Sequence, residues 1–329
     1  MKKILSISIA AYNVEKYIKE TLDSLVIERN MDALEVLIVS DGSTDNTNSI
    51  AKEFVDEYPD VFKLIKKDNG GWGSTVNVGL SNASGKYFKQ LDGDDYFKNL
   101  DAFIDFLRNA EEDMILTPFV SFDDKSKRIL EKRFYNEFEN IKFPTKIEYI
   151  AEQYKGMNMH AACFKTELLK QNNIHIEEKC FYTDVDLMIQ ACSVVNTVNF
   201  FPLEIYYYRI SGDGQSCSIS GYIKHYDEHY KISLKCLKNS YKYSGNEKIK
   251  RMLIDRSNIM ASFQYFIALE CSPSITTKNS IKHFDEILKE EYFDSYIYMN
   301  SIKRIRLLRM FDFYLLPLLH YICRKKDGE

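Results

Sequence analysis

The first hundred residues switch repeatedly between two periods of hydrophobicity, and few folds accommodate that alternation. Ile4 to Ala10 is β-branched and apolar, and after Asn13 it gives way to a helical pattern in which Val14, Ile18, Leu22 and Leu25 recur at three- and four-residue spacing. Glu35 to Val39 is a second apolar run, stopped by Asp41-Gly42-Ser43 and followed by Ile50, Ala51, Phe54 and Val55 on one helical face. Val61 to Ile65 and Tyr87 to Leu91 continue the series as strands, Ser74 to Leu80 and Leu100 to Leu107 as helices. Strands alternating with helices predict an α/β fold with a mostly parallel sheet flanked on both faces by helices.

The alternation stops after Met114 to Val120. Ser121 to Phe134 reads as a hairpin around Asp123-Asp124-Lys125-Ser126, Lys142 to Tyr208 mixes short elements, and from Tyr222 onward the pattern is helical almost throughout. Gly212, Gly214 and Gly221 cluster between these regions. The predicted organisation is a sheet domain over residues 1–215 and a helical C-terminal extension over 216–329, and 329 residues give room for both.

Charge and cysteines exclude several classes. Lysine plus arginine numbers 44 against 48 acidic residues, so bulk electrostatics argue against nucleic acid as a partner. The seven cysteines include no CxxC pair and read as reduced thiols of a cytoplasmic protein. The apolar run after Met1-Lys2-Lys3 contains two serines and reaches Asn13 and Glu15 without a cleavage site, so it reads as a buried strand rather than a signal peptide.

An α/β sheet binds its ligand where the strands end, which directs attention to Tyr12-Asn13, Ser40 to Asp45, and Asp92-Gly93-Asp94-Asp95. A dinucleotide fingerprint fails because the only GxG, Gly71-Trp72-Gly73, has Val76 where its last glycine belongs. A P-loop fails because Gly79 to Gly85-Lys86 is one residue too long and continues into Tyr87. A nucleotidyltransferase would carry a glycine- and lysine-rich first turn, absent from Ala10 to Val14. What remains is acidic: three carboxylates within four residues follow a strand, a density of negative charge that suits Mg²⁺ or Mn²⁺ on a diphosphate. A helix cap by Asp94 or Asp95 is the alternative role.

Together, Ser8 to Asn13, Val36 to Asp45, Asn69-Gly70-Gly71 with Asn77 and Gly79, and Gly85-Lys86-Tyr87 leading to Leu91 to Asp95 resemble the family 2 glycosyltransferases of the GT-A fold, in order and in spacing. The resemblance covers roughly residues 1 to 215 and implies a metal-dependent, inverting transferase moving a hexosyl or N-acetylhexosaminyl group from a nucleoside diphosphate sugar, typically a UDP-sugar, to an acceptor hydroxyl of a glycan or lipid-linked acceptor. Bacterial surface polysaccharide such as capsule is the implied product. Carried over by position, Ala11, Tyr12, Asn13, Asp41, Asn69, Gly70 and Asp92 would bind the nucleotide, with Asp41 on the base and Asp92 on the ribose side. Asp94 and Asp95 would hold the metal. The chain departs from the family at Ala10, Ser40 and Val76, where proline, aspartate and arginine are usual, and at Thr183, where glutamate is usual. A scaffold or nucleotide-sugar-binding protein in which the departures at Ser40, Val76 and Thr183 impair catalysis is therefore a second reading.

Inverting transfer requires a base for the acceptor hydroxyl. The family places it before a helix in the second half of the domain, usually as Glu-Asp, and Thr183-Asp184 occupies that place, which implies Asp184 as base; helix capping is its other role. Asp186 reads as a first-turn charge. By the same resemblance His160 lines the acceptor side, and Arg209 or Gln215 reaches the diphosphate when a loop closes. Trp72 stacks on a sugar or packs. Finally, Ser301 to Lys326 carries seven cations against Asp312 alone, beside an apolar stretch too short to cross a bilayer, which predicts a peripheral helix at the inner face of an anionic membrane.

Overall fold

The computed structural model describes residues 2–154, 158–210 and 218–326, the last four as backbone only. The chain divides into two compact units, Met1–Ser211 and Gly212–Glu329; the expected boundary after residue 215 lies outside the described residues.

In the first unit the described residues form twelve strands: β1 (Leu5–Ala11), β2 (Leu34–Asp41), β3 (Phe62–Lys67), β4 (Tyr87–Asp92), β5 (Tyr96–Phe97), β6 (Met114–Leu116), β7 (Phe119–Asp123), β8 (Ile129–Arg133), β9 (Thr145–Lys146), β10 (Ala162–Lys165), β11 (Thr197–Phe200) and β12 (Tyr206–Ile210). The helices between them are α1 (Ile18–Asp23), α2 (Thr47–Glu57), α3 (Trp72–Asn82), α4 (Leu100–Asn109), α5 (Ile147–Ile150), α6 (Thr166–Gln171) and α7 (Asp184–Val194). The main sheet runs β3-β2-β1-β4-β10-β6-β11-β9, and a second runs β5-β12-β7-β8. β3, β2, β1 and β4 are parallel neighbours, as the alternation predicts. Every residue of β2 is buried, the pattern of a strand covered on both faces.

The apolar run Met114 to Val120 does not form a single element: the chain breaks at Thr117-Pro118, so that β6 enters the main sheet and β7 the second. Pro118 has no amide to continue a ladder. Nor does Asp94 or Asp95 cap a helix, because β5 intervenes and α4 starts at Leu100 behind Asn99.

The second unit is helical: α8 (Ile219–Lys224), α9 (Tyr226–Lys242), α10 (Glu247–Glu270), α11 (Ile275–Glu291), α12 (Phe293–Asn300), α13 (Lys303–Met310) and α14 (Leu316–Lys326). Leu237, Tyr265, Phe284, Leu288, Met299, Leu308 and Leu316 belong to its core. Arg309, which sequence reading grouped with the surface cations, turns inward: its Nε donates to Asp285 Oδ1 at 2.8 Å, beside the Tyr265 hydroxyl on the same oxygen. No helix among the described residues is long and apolar enough to cross a membrane.

Candidate active site

Parallel strands bring their carboxyl ends to one edge of the main sheet, where the polar loops gather. After β1, Asn13 adopts a positive φ of 51°. Its Oδ1 accepts from the Thr44 amide at 2.8 Å, and its own amide donates to Ser43 Oγ at 3.2 Å. The Glu15 amide donates to Asp45 Oδ2 at 3.0 Å and the Asn46 amide to Glu15 Oε2 at 2.9 Å. The loops after β1 and β2 are thus laced together. Ala11 is buried in β1, whereas Tyr12 is 53% exposed and free to meet a planar ligand.

Asp41, expected on the base, is turned into the protein. It is buried, and its carboxylate accepts from the Gly70 amide at 2.9 Å, the Gly71 amide at 2.8 Å and Lys67 Nζ at 2.6 Å. The Asn69 side-chain amide adds a bond to its carbonyl at 3.0 Å. Gly71, with φ of 80°, supplies the left-handed turn that aims both amides at one carboxylate. The role visible in the structure is to shape the 69–71 turn ahead of α3.

The end of β4 is the acidic centre. Asp92 Oδ1 accepts from Trp72 Nε1 at 2.6 Å, so the indole orients this carboxylate by an edge hydrogen bond. Burial first, then the charges of Asp94 and Asp184, push the Asp92 pKa up to about 7 against the opposing Trp72 bond. Burial also raises Asp94. Asp95 is fully buried and raised well above the usual carboxylate range by burial and by its two acidic neighbours. Both of its oxygens are occupied, Oδ2 by the Tyr206 hydroxyl at 2.6 Å and Oδ1 by the Arg209 amide at 2.6 Å. Asp94, in contrast, is partly exposed, and its carboxylate has no side-chain hydrogen-bond partner among the described residues.

His160, in the turn before β10, lies at the same centre: one ligand atom each from Asp92, Asp95 and His160 fall within 4.8 Å of one another. Its ring packs 4.7 Å from Tyr206 and 4.5 Å from Tyr208. Burial, then Lys89, push its pKa down to about 3, leaving a neutral imidazole. Asp184 opens α7 behind Thr183, which makes no side-chain cap, and its charge reaches Asp92. Asp186 is a buried first-turn residue that accepts from Gln190 Nε2 at 2.9 Å.

Arg209 is where the structure corrects the sequence most. Its side chain is 1% exposed, and its guanidinium is consumed inside the protein: Nε donates to the Asp94 carbonyl at 2.6 Å, one terminal nitrogen to Asp124 Oδ1 at 2.6 Å and the other to Glu20 Oε2 at 2.7 Å. A group so committed supports the Asp94 turn and is not poised over a diphosphate. Gln215 lies outside the described residues. Sequence reading passed over Lys89 and Tyr206. Lys89 is fully buried and donates to the His160 carbonyl at 2.9 Å and the Ala162 carbonyl at 3.1 Å; burial lowers its pKa to about 8. A lysine inside the apolar Tyr87–Asp92 strand was the available signal.

Three carboxylates in a poorly solvated corner, with no cationic side chain bonded to their oxygens among the described residues, make a donor set that fits a divalent cation. Hard oxygen ligands suit Mg²⁺ or Mn²⁺.

Comparison with known proteins bears on the fold and the family. The sequence profile described as "Glycosyl transferase family 2" matches residues 6–171. A glycosyltransferase of Mycoplasma pneumoniae, the MG025 homolog, is 32% identical over 63% of this chain and 68% of its own length. The minor teichoic acid biosynthesis protein GgaB of Bacillus subtilis is 29% identical over 64% of this chain, but only 23% of its own length is matched. Among solved structures, TarS 1-349 of S. aureus in complex with UDP-GlcNAc superposes with a TM-score of 0.69 at 20% identity, over 95% of this chain and 90% of that one. A mannosyltransferase of Pyrobaculum calidifontis in complex with GDP-Man and Mn²⁺ gives 0.55 at 14% identity, over 100% and 89%.

Proposed function

The chain belongs to glycosyl transferase family 2, and from that premise we propose that it is an inverting glycosyltransferase that uses a UDP-sugar and a divalent cation to glycosylate a hydroxyl of a cell-surface polymer. The observation that carries the reading is the acidic centre after β4, with Trp72 bonded to Asp92 and Asp94 without a side-chain partner among the described residues. The ligands named in the TarS titles support a uridine nucleotide, and the GgaB name supports a surface polymer.

In this mechanism the exposed Tyr12 and the Asn13 loop receive the nucleoside, while Asp41 holds the 69–71 turn that walls the pocket. Asp94 and Asp92 would hold the cation, while Asp95, both oxygens occupied, braces the turn. When bound, the cation offsets charge on the departing diphosphate. Asp184 accepts the acceptor hydroxyl's proton as the oxygen attacks the anomeric carbon, and inversion follows from that single displacement. His160, neutral and buried, orders the inner wall beside Tyr206. Asp94→Asn tests the reading: release of UDP from a panel of UDP-sugars with Mn²⁺ is expected to fall about 10³-fold. Unchanged UDP release in the variant, or none from the wild type with any nucleotide sugar, sinks it.

A cytoplasmic location at the inner face of the membrane completes the proposal. Met310, Phe311, Tyr314, Leu318 and Tyr321 are each at least half exposed around α13 and α14, with Lys303 and Arg306 exposed beside them. Truncation before Ser301 would remove core residues such as Leu308 and Leu316, so surface substitution is the cleaner probe. Phe311→Ser/Tyr314→Ser/Leu318→Ser is expected to abolish flotation with anionic liposomes, and equal flotation of both proteins defeats the idea.

A further inference from the structure

The chain between α6 and α7 forms no regular element, yet residues 175–179 make a tightly held strap. Lys179 within it and Tyr182 just after it take a left-handed backbone, with φ of 50° and 61°. Neither is a glycine, so the surroundings fix a conformation that the residues themselves disfavour.

The grip comes from two helices. From α3, Asn77 holds one residue by both backbone groups: its Oδ1 accepts from the Ile176 amide at 2.8 Å and its Nδ2 donates to the Ile176 carbonyl at 2.9 Å. From α7, Gln190 does the same one residue earlier, its Oε1 accepting from the His175 amide at 3.3 Å and its Nε2 donating to the His175 carbonyl at 2.9 Å. The buried Asp186, one turn before Gln190, accepts from the Glu177 amide at 3.3 Å. The strap then reaches the nucleotide side, where the Lys179 amide donates to the Gly70 carbonyl at 2.6 Å. Gly70 is also held through its own amide by Asp41. The approach to α3 is close enough that a Cβ on Gly73 would run into the Glu177 carbonyl oxygen.

A strap pinned in this way cannot slide without leaving those backbone groups unpaired. The 69–71 turn and the first turns of α7 are therefore fixed to each other, and Asp184 lies two residues before Asp186 on that helix. We propose that Asn77 is a positioning residue for sugar transfer: through the strap it ties the turn that walls the nucleotide pocket to the start of α7, and so holds the Asp184 carboxylate in place. This rests on the transferase reading above and adds the link between its donor side and its base. Among the described residues the Asn77 side chain bonds only to Ile176 and Glu178, so its effect on chemistry passes through the strap.

The test compares Asn77→Ala with the wild type as full chains. Calorimetry with UDP and Mn²⁺ is expected to give an affinity within about twofold of wild type, while kcat for UDP release from a UDP-sugar falls about 10–100-fold. In an Asp184→Asn background the same substitution should cost almost nothing further, because the group it positions is already gone. Gly73→Ala displaces the strap without deleting a hydrogen-bonding side chain and is expected to reproduce the loss of kcat. Hydrogen exchange reads the tie without turnover: Asn77→Ala should deprotect the Ile176 amide and with it the Leu187 amide, which bonds the Thr183 carbonyl at the start of α7. Deprotection confined to Ile176 overturns the proposal, as does a kcat loss that multiplies fully with that of Asp184→Asn, or a loss of UDP affinity as large as the loss of kcat. Absence of UDP release from the wild type with any nucleotide sugar counts against the transferase reading alone, because exchange still reports whether the strap and α7 are tied.

Discussion

Each unit buries an aspartate beneath a tyrosine hydroxyl and an arginine, and the two arrangements differ in one respect. In the helical unit, Asp285 receives the Tyr265 hydroxyl and the Arg309 guanidinium itself. In the sheet unit, Asp95 receives the Tyr206 hydroxyl and only the backbone amide of Arg209, whose guanidinium goes to Asp124 and Glu20. The first carboxylate is neutralised by a formal charge and staples α10, α11 and α13. The second is hydrogen-bonded but not neutralised, and it lies beside Asp92 and Asp94. Against the cost of burial, Arg209 with Lys127 holds Asp124 well below the usual carboxylate range, and at Asp94 the charge of Arg209 offsets only part of the rise that burial imposes. Negative charge left uncompensated is what allows one cluster to bind something and the other merely to hold helices together.

The largest effect expected from that contrast is chemical. Asp184→Asn should lower turnover by ~10²–10⁴-fold while leaving donor KM within a small factor, as steady-state UDP release would read; a change confined to KM would make Asp184 a binding residue. Next is stability in the other unit. Arg309→Met strands Asp285 and should cost about 3–5 kcal/mol of folding free energy, seen by hydrogen exchange across α10 to α13, whereas the double variant with Asp285→Leu should recover much of it. Equal loss in both variants would mean that packing, not the charge pair, holds α13.

The smallest effect is a pH dependence. His229 is buried, with its Nδ1 2.6 Å from Gln264 Oε1, and burial pushes its pKa down to about 4 against that bond. The unfolded chain takes up this proton near 6.5, the folded one only near 4, so the contribution is complete above 6.5 and is lost as pH falls towards 4, by about 3 kcal/mol at most. Hydrogen exchange in α9 and α10 should lose protection through that window in the wild type and less steeply in His229→Gln. Parallel slopes would assign the dependence elsewhere.

Much of the sheet was legible because parallel strands buried on both faces write themselves as unbroken β-branched runs, and the acidic loop because three carboxylates after such a run are conspicuous. The break at Thr117-Pro118 was not, since strand partners are chosen by residues far away in the chain. The same limit explains the arginines. Arg209 and Arg309 look like surface cations in isolation, and only Asp124, Glu20 and Asp285, brought from 85, 189 and 24 residues away, turn them inward. The partners of Asp41 were hidden in the same way, because Lys67 and the Gly70 and Gly71 amides reach it by folding.

Trp72 is the chain's single tryptophan, and its indole nitrogen ends on Asp92. All of the protein's tryptophan emission thus originates at the rim of the acidic centre. A cation or nucleotide arriving there changes the electric field across that one ring, so the unlabelled protein carries its own optical gauge of occupancy, silent to events in the helical unit that leave the β4 loop unmoved.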